Sequence, residues 1–228
     1  CQVSTTLYNA VLKAELEVTQ RSNHSMIVTY VKPSMDAAIA GDYKDLKFVN
    51  NLDAPIYIEG YTVGKDIYFN IYGQETRPSN RKVTYESEVV SEEDPGTQFV
   101  ATGDAIGSIS TTQGKHMGYV ARLWKIVTVD GVEQSRDAIN KSTYKSSPKI
   151  VNVGTASADP NAVAAVNAAL ATGDEATIYA TVAQYSGAGQ TPSEAPAEAP
   201  ADSSAEAAAI LGTVDESQIT GNTTTEGQ

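Results

Sequence analysis

The chain has 228 residues, 41% of them hydrophobic, a formal net charge of −12 and one cysteine. This length allows one or two domains with a core. After Lys149 the sequence has no lysine or arginine but keeps its acidic residues, so nearly all of the acidic excess lies in the C-terminal part. No basic patch is large enough to neutralise phosphates, so we expect no nucleic acid partner. The single cysteine excludes an intrachain disulfide.

The first 74 residues read as an α+β unit. Apolar residues repeat with helical spacing over residues 3–18, and their broad stripe predicts a helix packed on a sheet. Strands are predicted at Met26–Val31, which Pro33 ends, and at Leu46–Asn50. The clearest hairpin joins Ile56–Thr62 to Asp66–Tyr72.

Side chains alternate cleanly along this hairpin. One side is aliphatic and aromatic, and we expect it to face the first helix: Ile56, Ile58, Ile67, Phe69 and Ile71. The other side carries the tyrosines: Tyr57, Tyr61, Tyr68 and Tyr72. The hairpin is therefore predicted to have one packed face and one face with a different partner.

The rest of the chain changes character repeatedly. Residues 75–81 are a polar linker, and residues 82–155 predict an elongated all-β module. Its long strand over Tyr119–Val129 turns at Asp130-Gly131 into a strand over Val132–Arg136, and residues 142–145 are predicted to be a loop. Residues 156–186 are alanine-rich and predict two helices, with Gly173 between them. Residues 187–228 are rich in Pro, Ala, Glu and Thr and predict a disordered acidic tail.

The N-terminal unit carries an ordered series of short motifs. Cys1-Gln-Val-Ser-Thr-Thr-Leu-Tyr-Asn-Ala10 is followed by Arg21-Ser-Asn-His-Ser25, Asp45-Leu-Lys-Phe48, Pro55-Ile-Tyr-Ile58 and Ile71-Tyr-Gly73. These motifs resemble the VanW family over about a third of the chain. In that family the cysteine follows a glycine-rich stretch, so the resemblance implies a domain truncated at its N-terminus. Contact with a membrane is expected only through an anchor preceding residue 1.

Residues 82–155 resemble the five-glycine (G-five) module of bacterial surface proteins. The motifs that carry the resemblance are Asp94-Pro-Gly96, Gly103, Gly107, Asp130-Gly131 and Val153-Gly-Thr155. The resemblance implies the outer face of a Gram-positive cell, anchored in the wall or membrane, and binding to N-acetylglucosamine-containing wall polymers. VanW proteins also occur in some glycopeptide-resistance clusters, which implies a link to that resistance.

Three residues form a candidate catalytic group. Cys1 stands just ahead of a helix, where backbone N–H groups and the helix dipole stabilise a thiolate. The lengths of the helix and the returning chain allow His24 to lie beside Cys1, with Asp36 orienting the imidazole. Two alternatives stay open for Cys1: a small buried apolar residue, or the lipidated first residue of a lipoprotein.

Three aromatic residues are candidate ligand contacts. Tyr57 and Tyr61 on the hairpin and Trp124 on the long strand are able to stack on sugar rings, although cross-strand packing is the alternative. Two distant histidines and one cysteine do not make a closed zinc site, and no cofactor is expected. The sequence predicts a cell-envelope protein that binds peptidoglycan or its glycan, the alternative being a cysteine-dependent peptidoglycan-modifying enzyme.

Overall fold

The computed structural model describes residues 1–187; apart from Gly187, the predicted disordered tail at 187–228 lies outside the described residues. The elements in chain order are α1 (Gln2–Lys13), β1 (Glu17–Gln20), β2 (Lys47–Val49), β3 (Tyr57–Val63), β4 (Asp66–Tyr72), β5 (Arg81–Glu93), β6 (Thr97–Ala105), β7 (Ile109–Gln113), β8 (Gly118–Val129), β9 (Val132–Tyr144), β10 (Lys149–Ala156), α2 (Pro160–Thr172) and α3 (Glu175–Tyr185). Among these residues, no helix is long and apolar enough to cross a membrane.

Helix α1 is shorter than the predicted 3–18, and Val18 lies in strand β1. The helix ends because Glu15 adopts a left-handed backbone conformation with φ 55°, which turns the chain. The N–H of Leu16 donates to the carbonyl of Val11 at 3.1 Å and closes this end. Leu16 is nevertheless buried, so the apolar period predicted its burial correctly but not its secondary structure.

The predicted strand over Met26–Val31 is wrong. This segment contains bends and extended residues but no paired strand. A strand forms only where a neighbouring strand takes up its backbone groups. Here the backbone groups around Ser25 have other partners: its carbonyl accepts from the N–H of Lys145 at 2.7 Å, and the carbonyl of Asn23 accepts from Nζ of Lys44 at 2.8 Å.

Strands β3 and β4 form the predicted antiparallel hairpin. Tyr57 lies opposite Tyr72, and Tyr61 lies opposite Tyr68. Strand β4 packs against α1, while Tyr57 and Tyr72 are 66% and 52% exposed. The hairpin therefore has one packed and one solvent-exposed face, as its alternation predicts.

The β-rich part consists of two three-stranded sheets. Strands β5, β8 and β9 are antiparallel in the order β5-β8-β9. In the second sheet, β10 lies between β6, to which it is parallel, and β7, to which it is antiparallel. The two predicted helices form α2 and α3, and they cover this second sheet. Their shared core is buried and apolar: Val151, Val153, Val166, Ala169, Ile178 and Val182.

Local sequence explains the ends of α2 and α3. Asp159 accepts a hydrogen bond from the N–H of Asn161 at 2.9 Å and caps α2, whose first residue is Pro160. Gly173 ends α2 in the left-handed conformation, with φ 68°. Asp174 then accepts from the N–H of Thr177 at 2.7 Å and caps α3.

The first sheet shares a core with the N-terminal segment. Tyr8 and Leu12 of α1 form one buried cluster with Ala37 and with Leu123 of β8. The turn after α1 is also tied to this sheet, because the Glu15 carboxylate lies 2.6 Å from both Arg81 Nη1 and Lys125 Nζ. The hydrogen bond from Arg81, with help from Lys125, lowers the pKa of Glu15 to about 2.

This shared core predicts that truncation of Leu123 destabilises both segments together. We expect Leu123→Ala to lower the free energy of unfolding by about 2–5 kcal/mol, because Leu123 is fully buried between α1 and the sheet. Leu52→Ala makes the same chemical change at an exposed site and should cost less than about 1 kcal/mol. Urea unfolding followed by Trp124 fluorescence and by circular dichroism measures both. If Leu123→Ala shifted only one of two separate transitions, the shared core would be contradicted.

Candidate functional site

The candidate site is built around the buried carboxylate of Asp36. Its Oδ1 accepts hydrogen bonds from Arg21 Nη2 at 2.7 Å and from the Tyr144 hydroxyl at 2.5 Å. Its Oδ2 lies 2.7 Å from both the backbone nitrogen and Nδ1 of His24. The Asp36 side chain is 0% exposed, so its charge is stabilised by these donors and not by solvent.

The environment keeps Asp36 ionised. Burial by itself would raise the pKa of Asp36, but hydrogen bonds from Tyr144 and His24, with the Arg21 guanidinium, hold that pKa below its ordinary value. Burial and the Asp36 charge raise the pKa of Tyr144 to about 12. Tyr144 therefore stays protonated and serves as a hydrogen-bond donor to Asp36.

Arg21 joins the N-terminal segment to strand β9. It directly follows β1, and its Nε donates to the Asp36 carbonyl at 2.6 Å while its Nη1 donates to Ser142 Oγ at 2.7 Å. The guanidinium also lies 5.6 Å from the centre of the Tyr8 ring. One side chain thus connects α1, the loop that carries Asp36, and the end of β9.

Ser34 completes this junction from the loop. Its φ of 67° turns the backbone so that its N–H donates to the Tyr144 hydroxyl at 2.8 Å. Its own hydroxyl donates to Ser142 Oγ at 2.9 Å. Tyr144 and Ser142 are therefore hydrogen-bonded to the loop that carries Ser34 and Asp36, and the Tyr144 hydroxyl both donates to this loop and accepts from it.

Both ring nitrogens of His24 have partners. Nδ1 faces Asp36, and Nε2 lies 3.3 Å from the Tyr30 hydroxyl, whose ring meets the imidazole edge-on at 89°. A neutral imidazole protonated on Nδ1 satisfies this arrangement, because it donates to the carboxylate and accepts from the tyrosine. The His24 side chain is only 18% exposed.

The structure thus brings two of the three candidate catalytic residues into contact. Cys1 occupies the N-cap position of α1 without a side-chain capping bond and is exposed. Its thiol hydrogen-bonds to the backbone N–H and carbonyl of Ile39 at 3.5 and 3.6 Å. Within residues 1–187, no hydrogen bond joins this thiol to His24. The same loop holds the first turn of α1, since Ser4 Oγ donates to the Ala37 carbonyl at 2.6 Å.

The candidate ligand contacts lie on two different sheets. Tyr57 and Tyr61 stand on the exposed face of the β3–β4 hairpin. Trp124 lies in the middle of β8, half-buried, and its indole N–H donates to Glu88 Oε2 at 2.6 Å. The described residues contain no group of three or more His, Cys, Asp or Glu side chains placed to hold a metal ion.

A cleft of about 410 Å³ adjoins the Asp36 network. Its lining includes Tyr8 and Leu12 of α1, Leu16 in the turn after the helix, strand β1 and residues 139–141 of β9. Arg21 lines the cleft as well. The cleft has the size of a small-molecule site, but two of its charged lining residues, Glu15 and Lys125, are already paired with each other.

Sequence reasoning missed Tyr144 and Ser142. The predicted strand after Gly131 stops at Arg136, whereas β9 continues to Tyr144, and residues 142–145 are predicted to be a loop. The alternation in this stretch was the available signal, since Ser142 and Tyr144 are buried while Lys141, Thr143 and Lys145 are exposed. Their role in stabilising Asp36 depends on contacts more than 100 residues apart in the chain.

The fold and the buried site define a protein whose N-terminal segment begins with a helix and shares its core with a β-rich module. Residues 1–72 match the family model of VanW like protein, and residues 75–156 match that of the G5 domain. The chain therefore carries a VanW-like segment followed by a G5 segment, and the resemblance predicted from its motifs is confirmed in this order.

Individual proteins are similar to about a third of the chain. The uncharacterized protein YoaR of Bacillus subtilis (strain 168) is 37% identical over 75 residues, 33% of this chain and 25% of that protein. The chain thus matches about a quarter of the length of this relative. Two solved structures are also similar. The IgA1 protease G5 domain is 26% identical, covers 34% of this chain and 94% of its own, and has a TM-score of 0.25. HP0197-G5 is 20% identical, with coverages of 32% and 99% and a TM-score of 0.18.

The Asp36 network predicts a pH-dependent stability. The pKa of Asp36 is lower in the folded state than the ordinary value of about 3.9 expected for the unfolded chain. Its contribution is therefore fully present above about pH 4–5 and is lost as the pH falls through the folded-state pKa. We expect Asp36→Asn to lower the free energy of unfolding at neutral pH by roughly 3–5 kcal/mol, because Arg21 loses its buried partner.

Urea unfolding between about pH 3 and pH 7 tests this. The free energy of unfolding of Asp36→Asn should fall less with decreasing pH than that of the wild type, because the variant has no carboxylate to protonate at position 36. Asp42→Asn makes the same change at an exposed position and should alter stability by less than about 0.5 kcal/mol. An Asp36→Asn protein with wild-type stability and the wild-type pH profile would disprove the role assigned to this carboxylate.

Proposed function

We propose that this chain is part of a cell-envelope protein that binds wall glycan on the outer face of a Gram-positive bacterium. VanW and G5 segments are typical of cell-envelope proteins. The G5 resemblance also implies a ligand, an N-acetylglucosamine-containing polymer such as peptidoglycan. The match covers only about a quarter of YoaR, so what the whole protein does is also part of this proposal.

The observation that carries the proposal is the open face of the β5-β8-β9 sheet, which presents Trp124, Glu86, Glu88 and Arg136. Exposure alternates along β5, with Glu86 and Glu88 exposed and Tyr85 on the side that faces α1. Trp124 lies opposite Glu86 in the register and therefore on the open side. This side of the sheet carries a large aromatic residue that is partly exposed to solvent.

The polar neighbours hold the indole ring in place. Glu88 accepts the indole N–H at 2.6 Å, and Glu86 accepts from Arg136 Nη1 at 2.9 Å beside it. A fixed aromatic ring flanked by carboxylate and guanidinium groups suits a sugar. The C–H face of the sugar stacks on the ring, and its hydroxyls form hydrogen bonds with the polar groups. The balance of acidic and basic groups supports a neutral ligand over a polyphosphate. Tyr57 and Tyr61 are the second contact region of the proposal.

Substitution of Trp124 tests the proposal directly. We expect Trp124→Ala to weaken binding to purified peptidoglycan by about tenfold, because the stacking surface is lost. Trp124→Phe keeps an aromatic ring without the N–H and should weaken binding less. Cosedimentation of the protein with insoluble peptidoglycan measures the affinity, and thermal melting confirms that each variant is folded. Unchanged affinity in Trp124→Ala would exclude the open face as the glycan contact.

A cysteine-dependent peptidoglycan-modifying enzyme is the second candidate, favoured by the 2.7 Å contact between His24 Nδ1 and Asp36. It is the weaker one, because the thiol of Cys1 bonds to Ile39 and the Nε2 of His24 faces Tyr30. Under this alternative, Cys1→Ala in the full-length protein abolishes turnover of muropeptides and leaves wall binding intact. Chromatography of digested muropeptides measures this, and identical product profiles for wild type and variant would remove the enzyme from consideration.

The implied link to glycopeptide resistance belongs to the whole protein. Binding of the protein to wall glycan near the vancomycin target would alter access of the antibiotic. Deletion of the gene in its host and measurement of vancomycin susceptibility tests this part of the proposal separately from binding.

A further inference from the structure

The exposed face of the β3–β4 hairpin has an unusual composition. Alternate residues of the two strands place six side chains on it, and we call this set the tyrosine face: Tyr57, Glu59, Tyr61, Tyr68, Asn70 and Tyr72. Tyr57, Tyr61 and Tyr72 are 66%, 42% and 52% exposed. Large aromatic residues concentrated on one exposed face commonly mark an interaction surface.

The tyrosines form two cross-strand pairs. Tyr61 and Tyr68 stack with ring centres 5.2 Å apart and planes 10° apart. Tyr57 and Tyr72 lie 6.1 Å apart with planes inclined by 31°. The pairs are four residues apart along the strand, or about 13 Å at roughly 3.3 Å per residue. This spacing gives the tyrosine face the length of more than one sugar ring.

A carboxylate lies between the two pairs. Glu59 Oε2 accepts hydrogen bonds from Asn70 Nδ2 and from the Tyr72 hydroxyl, both at 3.0 Å. These bonds lower the pKa of Glu59, so it is ionised at neutral pH. Both bonds formed by described residues end at Oε2, which leaves Oε1 available as an acceptor for a ligand.

The Tyr72 ring is positioned before any ligand arrives. Its hydroxyl is held by Glu59, while half of the side chain stays exposed to solvent. From the other side of the hairpin, the Phe69 ring lies over Gly60, where a Cβ would come within 2.8 Å of it. A ring with its polar atom already bonded, on a supported strand pair, loses little conformational entropy on binding.

The charges of the hairpin indicate which kind of wall polymer the tyrosine face would bind. Within residues 57–72 the one cation is Lys65, which lies in the turn and not on the tyrosine face. A face with one carboxylate and no cation does not favour phosphate-rich anionic polymers. It suits a neutral ligand that offers hydroxyl or amide donors to Glu59 and C–H faces to the rings.

We propose that the tyrosine face binds the uncharged pyranose chain of an N-acetylated glycan, with sugar rings stacked on Tyr57 and Tyr72 and a hydroxyl or amide N–H donated to Glu59 Oε1. This inference rests on the proposed function, and it adds to the second contact region the residues Tyr72 and Glu59 and the requirement that the bound chain be uncharged. The hairpin and the open face of the β5-β8-β9 sheet then act as two contact regions of one protein, whose combined affinity exceeds that of either.

The experiment measures binding of a soluble N-acetylglucosamine tetramer by titration calorimetry, using the full chain. Tyr57→Ala and Tyr72→Ala, each made in wild type and in Trp124→Ala, should each weaken binding by about tenfold. Tyr72→Phe keeps the ring but frees it from Glu59 and should cost less than Tyr72→Ala. Tyr43→Ala is the matched control, because Tyr43 is 74% exposed and lies outside the hairpin, and it should leave binding unchanged.

Each other outcome overturns the inference in a recognisable way. If Tyr57→Ala and Tyr72→Ala bind like Tyr43→Ala while Trp124→Ala is impaired, the tyrosine face is not a contact region and the proposed function stands. If wild type binds neither the tetramer nor peptidoglycan, both proposals fail. If the tyrosine variants change the sedimentation coefficient but not glycan affinity, this face is an interface between copies of the chain. Stronger binding of a phosphate-rich wall polymer than of the tetramer, lost in the same variants, rejects the neutral ligand class.

Discussion

The buried carboxylate of Asp36 is the interaction on which the arrangement of the N-terminal segment depends. A fully buried charge is tolerated only when donors surround it. Here the donors come from two distant stretches of chain: Arg21 and His24 in the segment after β1, and Tyr144 at the end of β9. Both stretches must be in place together, so the VanW-like segment and the first sheet of the G5 segment stabilise each other. The two family matches meet near residue 75, but one hydrophobic core contains residues from both matched segments.

This continuity explains where ligand-binding surfaces are available. One face of the β5-β8-β9 sheet packs on α1 through Leu123, and one face of the β3–β4 hairpin is turned toward the same helix. Among residues 1–187, no helix packs in this way on the second face of either sheet. Both second faces carry aromatic side chains that a glutamate holds, Trp124 by Glu88 and Tyr72 by Glu59. The His24–Asp36 pair, in contrast, is used internally, because its remaining bonds go to Arg21, Tyr30 and Tyr144.

Local patterns in the sequence predicted several elements. Alternation specifies the β3–β4 hairpin, the long apolar run with β-branched residues indicates β8, and aspartate N-caps begin α2 and α3. The early end of α1 was not predictable, since Glu15 turns the chain with a positive φ, and its carboxylate pairs with Arg81 and Lys125, which lie far away in the sequence. The segment 26–31 has strand-like residues but no neighbouring strand to pair with.

For the candidate site, the sequence by itself determined the residue types, including a histidine and an aspartate with 11 residues between them, and the aromatic alternation of the hairpin. Only the tertiary structure decided which groups meet. It placed Tyr144 and Ser142 against the Asp36 loop, and it directed the Cys1 thiol to Ile39 rather than to His24. The physical reason is that a buried charge must find its donors wherever the folded chain brings them. Alternation in the sequence can indicate that Tyr144 is buried, but it does not indicate that its partner lies 108 residues away.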